Sequence, residues 1–152
     1  MKKYFVLIVL SVLVASCSRD TKEYNIRVKQ AVTESEGIVN IYDQYVKNAM
    51  DRDDFLQINT FSQRATSATD RILTQLKESD EPAKAKELKQ SAISYIEAMQ
   101  KLIKAQEIYS AYNDSITSEE ADKMDQKVAN VYNEVKHKQG VYIENEEKAA
   151  FY

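Results

Sequence analysis

The sequence predicts an all-α protein, an antiparallel up-down-up-down four-helix bundle, and three observations carry that expectation. Only two glycines (Gly37 and Gly140) and one proline (Pro82) occur in 152 residues, far below ordinary usage of about 7% and 5%. The chain therefore lacks most of the punctuation that ends helices and shapes turns. Apolar and small residues recur at alternating spacings of three and four, the period of a helix with one buried face, and no strand alternation of useful length competes with it. Where that recurrence stops, capping residues stand.

Asp20 and Glu23 have the spacing of a capping box and open helix one, 21–51. Its stripe runs Tyr24, Val28, Ala31, Ser35, Ile38, Tyr42, Tyr45, Ala49. Asp51, Arg52, Asp53 and Asp54 interrupt it, and helix two, 54–78, carries Phe55, Ile58, Ser62, Ala65, Thr69, Ile72 and Leu76 inward. Ser79-Asp80-Glu81-Pro82 is a start signal, because proline is tolerated in a first turn and not in a helix interior. Helix three, 82–112, follows with Ala85, Leu88, Ala92, Tyr95, Met99, Leu102, Gln106 and Tyr109. Asn113-Asp114-Ser115-Ile116 breaks the run, and Thr117 with Glu120 forms the most complete capping box of the chain. Helix four then presents Ala121, Met124, Val128, Val131, Val135, Lys138, Tyr142 and Ala149. Each helix is apolar on one side only, so each needs neighbours, and connections of a few residues make consecutive helices antiparallel. Two long hairpins that complete a bundle by dimerising are the alternative. Acid-first pairs at i,i+4, such as Glu97/Lys101, Glu134/Lys138 and Glu144/Lys148, read as solvated faces.

Ahead of the bundle, Lys2-Lys3, an apolar run from Tyr4 to Ala15, and small residues before Cys17 have the layout of a secretory signal. The run falls short of the roughly 20 residues needed to cross a bilayer. Val14-Ala15-Ser16-Cys17 resembles the lipobox of bacterial lipoproteins. That resemblance implies a signal peptide over 1–16, removed to leave Cys17 at the N-terminus, diacylated on sulfur and acylated on its amine with chains such as palmitate. It implies a lipidated tether over 17–20, a bundle domain over 21–152, and a membrane held through the lipid on Cys17. Ser18 rather than Asp after the Cys implies the outer membrane. The chain as a whole resembles small all-helical envelope and surface lipoproteins, a group that supplies no catalytic residue to carry over.

Composition excludes several classes. The 21 basic residues against 24 acidic ones give a net charge of −3, and removing Lys2 and Lys3 takes it to −5. No basic patch offers itself to nucleic acid. Cys17 is the one cysteine, so no disulfide is available and stability comes from packing. A di-iron bundle site needs two Glu-x-x-His pairs, whereas Glu134-Val135-Lys136-His137 is a single match and His137 is the one histidine. No Cys-x-x-Cys-His sequence is present for haem attachment. A nucleophile with a histidine base is equally unprovided for. The Asp51–Asp54 cluster lacks the glycine and glutamate that an EF-hand places at its sixth and twelfth positions. The expectation is a protein without catalysis, metal or cofactor.

Tyrosine is the residue used beyond expectation, ten times with no tryptophan. In an up-down topology Tyr42, Tyr45, Phe55, Phe61, Tyr109 and Tyr112 all fall at the end away from the lipid. Such rings either anchor the core or bind a protein partner at a membrane-distal tip. The sequence thus favours a lipid-anchored binding or structural module of the cell envelope, acting through its surface. The alternative is a carrier or sensor that takes an apolar or aromatic small molecule into the bundle core, which requires an internal pocket of about 300 Å³ or more.

Overall fold

The structure, a computed structural model, describes residues 2–112 and 115–151, with side chains from Asp20 onward. The described chain is all-helical. Four long helices, α1 (Lys2–Asp51), α2 (Ile58–Glu78), α3 (Lys86–Gln106) and α4 (Ser118–Ala149), are joined by short segments that include two 3-10 turns, Ala83–Ala85 and Glu107–Ala111. The expected stripes are the buried ones. Tyr24, Val28, Ser35, Tyr42 and Ala49 of α1 face inward, as do Ile58, Ser62, Ala65, Thr69, Ile72 and Leu76 of α2.

The boundaries differ from expectation in three places. Helix one has no cap at Asp20, because α1 is already helical from Lys2; the Leu-, Val- and Ala-rich segment ahead of it contains neither Gly nor Pro to end a helix. Helix two begins at Ile58 without a side-chain cap, since Asp53 and Asp54 are used to close α1. The Asp53 amide donates to Met50 O at 3.4 Å and the Asp54 amide to Ala49 O at 3.0 Å, the paired bonds of a Schellman motif. Asp53 takes the left-handed position that motif needs, with φ 52°. Left-handed backbone is costly for residues with a Cβ, although Asp bears it better than most. Asp53→Gly is therefore expected to raise stability by about 1 kcal/mol, read as a higher urea midpoint at unchanged slope. Helix three is not continuous over 82–112. Its ends tighten into the two 3-10 turns, leaving α3 as Lys86–Gln106.

Helix α3 packs against each of the other three helices, and α4 packs mainly on α3. This explains how much each one buries. Besides its predicted stripe, α3 buries Ser91, Ile96, Ala98 and Ile103, because a helix with three neighbours needs more than one apolar face. In α4 only Val135, Tyr142 and Ala149 are fully buried, while Met124, Val128 and Val131 lie partly covered against the core. Its Thr117 start is as read from sequence, with the Glu120 amide donating to Thr117 Oγ1 at 3.3 Å and the Thr117 amide to Glu120 Oε2 at 2.9 Å.

Side chains cross between helices at defined heights. Tyr24 Oη and Ser79 Oγ are 2.9 Å apart, Gln100 donates to Asp70 at 2.6 Å, and Lys101 pairs with Glu134 at 2.7 Å. Glu97 pairs with Lys77 at 2.8 Å, so two acids expected to pair within their own helices reach a neighbouring helix instead. Glu144–Lys148 does form as an i,i+4 pair, at 2.7 Å. Where α1 approaches α4, Glu36 accepts from Tyr95 Oη at 2.8 Å and from Gln139 Nε2 at 3.4 Å, tying α1, α3 and α4 together.

Lys89 is a buried lysine with a structural task. Its ammonium donates to Lys77 O at 3.1 Å, Ser79 O at 2.6 Å and Glu81 Oε2 at 2.5 Å, closing the carbonyl end of α2 onto α3. Glu81 first holds its pKa above the ordinary value, with burial opposing. Tyr42 is shifted the same way, chiefly by burial, to about 12. Folding thus raises both groups above their unfolded values near 10.4 and 10. Their contribution is full below those values and is lost as pH rises through the folded ones. Stability is expected to be flat from neutral pH to about 9 and to fall beyond about 10, with tyrosinate absorbance rising together with the loss of helical circular dichroism. Full ionisation of all tyrosines in an intact fold would contradict this.

Candidate functional site

The six aromatic residues of the predicted tip come from α1, α2, the turn between them and the segment after α3, and the structure divides them into two layers. Tyr42 and Tyr109 are core residues, 2% and 7% exposed. Tyr45, Phe55, Phe61 and Tyr112 are half-buried and meet in pairs. Tyr45 stacks on Phe61 with ring centroids 3.8 Å apart, and Phe55 tilts against Tyr112 at 5.2 Å. Arg64 lies over the Phe61 ring at 5.5 Å, so a cation covers one side of that stack.

Below these pairs is a polar layer. Ser62 Oγ donates to Glu107 Oε1 at 2.5 Å and Gln106 Nε2 to Asp43 Oδ1 at 2.6 Å, while Tyr109 Oη donates to Asp125 Oδ1 at 2.8 Å. Burial pushes the Glu107 carboxyl up, but Lys104 and Ser62 outweigh it and leave its pKa below the usual range. Burial, then the bond to Asp125, pushes the Tyr109 hydroxyl up. The Tyr42 hydroxyl and Gln106 Oε1 are buried with no hydrogen-bond partner, even though the Ser62 hydroxyl is near enough to Tyr42 to favour its ionised form. This layer ties α1 to the end of α3, and α2 and α4 to the segment that follows α3, beneath the tip.

Two further apolar residues belong to this end and were missed in the sequence. Leu56 is 92% exposed in the α1/α2 turn and Met50 is 39% exposed in the last turn of α1. Both stand off their helical stripes, next to Phe55 and Ala49 respectively. An apolar residue one position off a stripe, in a turn of charged residues, is the signal that marks them.

His137 is exposed, between Lys136 and Lys138. Among the described residues no group of three or more His, Cys, Asp or Glu side chains is arranged to hold a metal ion. Cys17, the expected lipid-attachment residue, and the expected signal peptide, 1–16, lie outside the residues whose side chains are described. Among the described residues no helix is long and apolar enough to cross a membrane.

Besides a groove of about 520 Å³ along α2 beside Thr60, Arg64 and Arg71, two surface grooves lie between helices. One of about 480 Å³ lies between the 22–29 part of α1 and the end of α4, lined by Asn25, Ile26, Leu88, Ala149 and Phe151 among others. A second, of about 240 Å³, runs between α1 and α2 beside Tyr24 and Leu76. No known protein family, curated protein or solved structure matches the chain.

Proposed function

We propose that the protein is a lipid-anchored module of the bacterial cell envelope, held through Cys17 in the outer membrane and acting by presenting the far end of an up-down-up-down four-helix bundle to a protein partner. The cross-helix bonds support that topology. Tyr24, far back along α1 from its end at Asp51, meets Ser79 after the end of α2, Ser62 near the start of α2 meets Glu107 after the end of α3, and Tyr109 after the end of α3 meets Asp125 near the start of α4. Each consecutive pair thus runs in opposite directions.

The observation that carries the functional reading is the aromatic end. Tyr45, Phe55, Phe61 and Tyr112 are half-buried rather than enclosed, and Leu56 and Met50 beside them are exposed. Rings held rigid in pairs, with one face left to cover, are the residues that dominate interface energy once desolvated. The carrier alternative draws less support, because both grooves between helices open at the surface, and the inward stripes of α1, α2 and α3 meet in one packed core.

The reading is tested by the double variant Tyr45→Ala/Tyr112→Ala. Crosslinking and pulldown from intact envelopes should recover a partner with the wild-type protein and at least tenfold less with the variant. Thermal unfolding should show that the variant remains folded at the assay temperature. Equal recovery by wild type and a folded variant would remove the tip from the account.

A further inference from the structure

The groove between α1 and α4 sits at the opposite end from the aromatic tip. It has a volume of about 480 Å³, within the range of about 300–1,000 Å³ typical of small-ligand sites. Its apolar lining includes two side chains that the core does not use, Phe151 at 86% exposed and Ile26 at 49% exposed. Single exposed apolar residues need no explanation, but these two line one groove. Lys29 reaches across it to Glu146 at 2.5 Å, and exposed Lys22 stands beside it.

The position of this groove argues for what covers it. Helix α1 is continuous over Lys2–Asp51, so no flexible linker separates the groove from Cys17. Five residues part Cys17 from Lys22, a distance of at most about 18 Å even for a fully extended chain. We infer that the groove and Phe151 form a second membrane contact, in which the acyl region of a bilayer phospholipid packs against Ile26 and Phe151. The stem of Lys22 lies along the same apolar surface with its ammonium kept among the headgroups. The inference rests on the lipid-anchor reading of Cys17 and adds orientation to it. The lipid sets how far the bundle can stray, and the base contact sets which way it points. Because α1 carries the chain about 38 Å from Ile26 to Asp51, a seated base holds the aromatic end well clear of the bilayer.

The chain contains no tryptophan, so Phe151→Trp gives a single reporter at the base. Leu56→Trp, at a 92% exposed position, gives one at the other end. Each lipidated protein is placed in phosphatidylcholine vesicles whose acyl chains are either plain or brominated. Phe151→Trp emission is expected to shift to the blue in plain vesicles and to be strongly quenched in brominated ones, with Leu56→Trp unchanged in both. No quenching at either position, with lipid on Cys17 verified by mass, would overturn the base contact and leave the anchor standing. Quenching at both would also overturn it, since the bundle would then lie flat. A chain that cells export without lipid on Cys17 would overturn the anchor and the base contact together.

Discussion

Cys17→Ser is expected to move the protein from the membrane fraction to the soluble fraction and to abolish incorporation of labelled fatty acid. The argument is chemical. Serine lacks the thiol that takes the diacylglyceryl group in a lipobox, so no acyl chain is attached at position 17. Each buried CH₂ of an acyl chain contributes about 0.8 kcal/mol to membrane affinity, and stable anchoring needs more than one chain. Losing every chain on Cys17 is therefore a change of many orders of magnitude in partitioning, which the exposed base residues Ile26 and Phe151 cannot offset. Label retained by Cys17→Ser would contradict the anchor reading.

The largest effect on stability is expected from Tyr95→Ala. Tyr95 is 3% exposed, its ring stacks on Tyr142 with centroids 6.0 Å apart, and its hydroxyl donates to Glu36 at 2.8 Å. Truncation removes the ring from the junction of α1, α3 and α4 and leaves a cavity there. Large aromatic deletions of this kind cost about 3–5 kcal/mol. Helix α4 should suffer most, because it packs mainly on α3 and the Glu36 that Tyr95 holds is one of its ties to α1. Tyr95→Phe should cost less, on the order of 1–2 kcal/mol, as the ring stays and only the bond to Glu36 is lost. Hydrogen exchange should show α4 amides losing protection before those of α2 in both variants. Uniform loss across all four helices would contradict the idea that Tyr95 holds α4.

The inward residues were legible because the 3.6-residue period governs which side chains a helix can bury, and three stripes follow it almost without exception. The double burial of α3 was not, since Ser91, Ile96, Ala98 and Ile103 acquire their cover only from the packing of α1, α2 and α4 around one helix. The Asp51–Asp54 run reads as capping residues ahead of a helix two that begins at 54, whereas Asp53 and Asp54 close α1; the same short polar side chains serve both kinds of helix end, and sequence spacing does not separate them. Of the candidate site, the gathering of the six aromatics at one end followed from helix lengths. Their depths did not. Tyr42 and Tyr45 both stand on the α1 stripe, yet one is enclosed and the other half-buried, because α2 covers the two positions differently. Leu56 escaped notice for the converse reason, as a residue of no stripe at all.

The most direct test of an anchored bundle that works through its far end is site-specific photo-crosslinking in living cells. A photoreactive side chain replaces Leu56 at the tip, and in a second strain Glu147, exposed near the base. The account predicts one discrete protein adduct from position 56, none of that size from position 147, and loss of the adduct when Tyr45→Ala/Tyr112→Ala or Cys17→Ser is added. Adducts of equal yield from both positions, or a position-56 adduct unaffected by the loss of Tyr45, Tyr112 and Cys17, would contradict it.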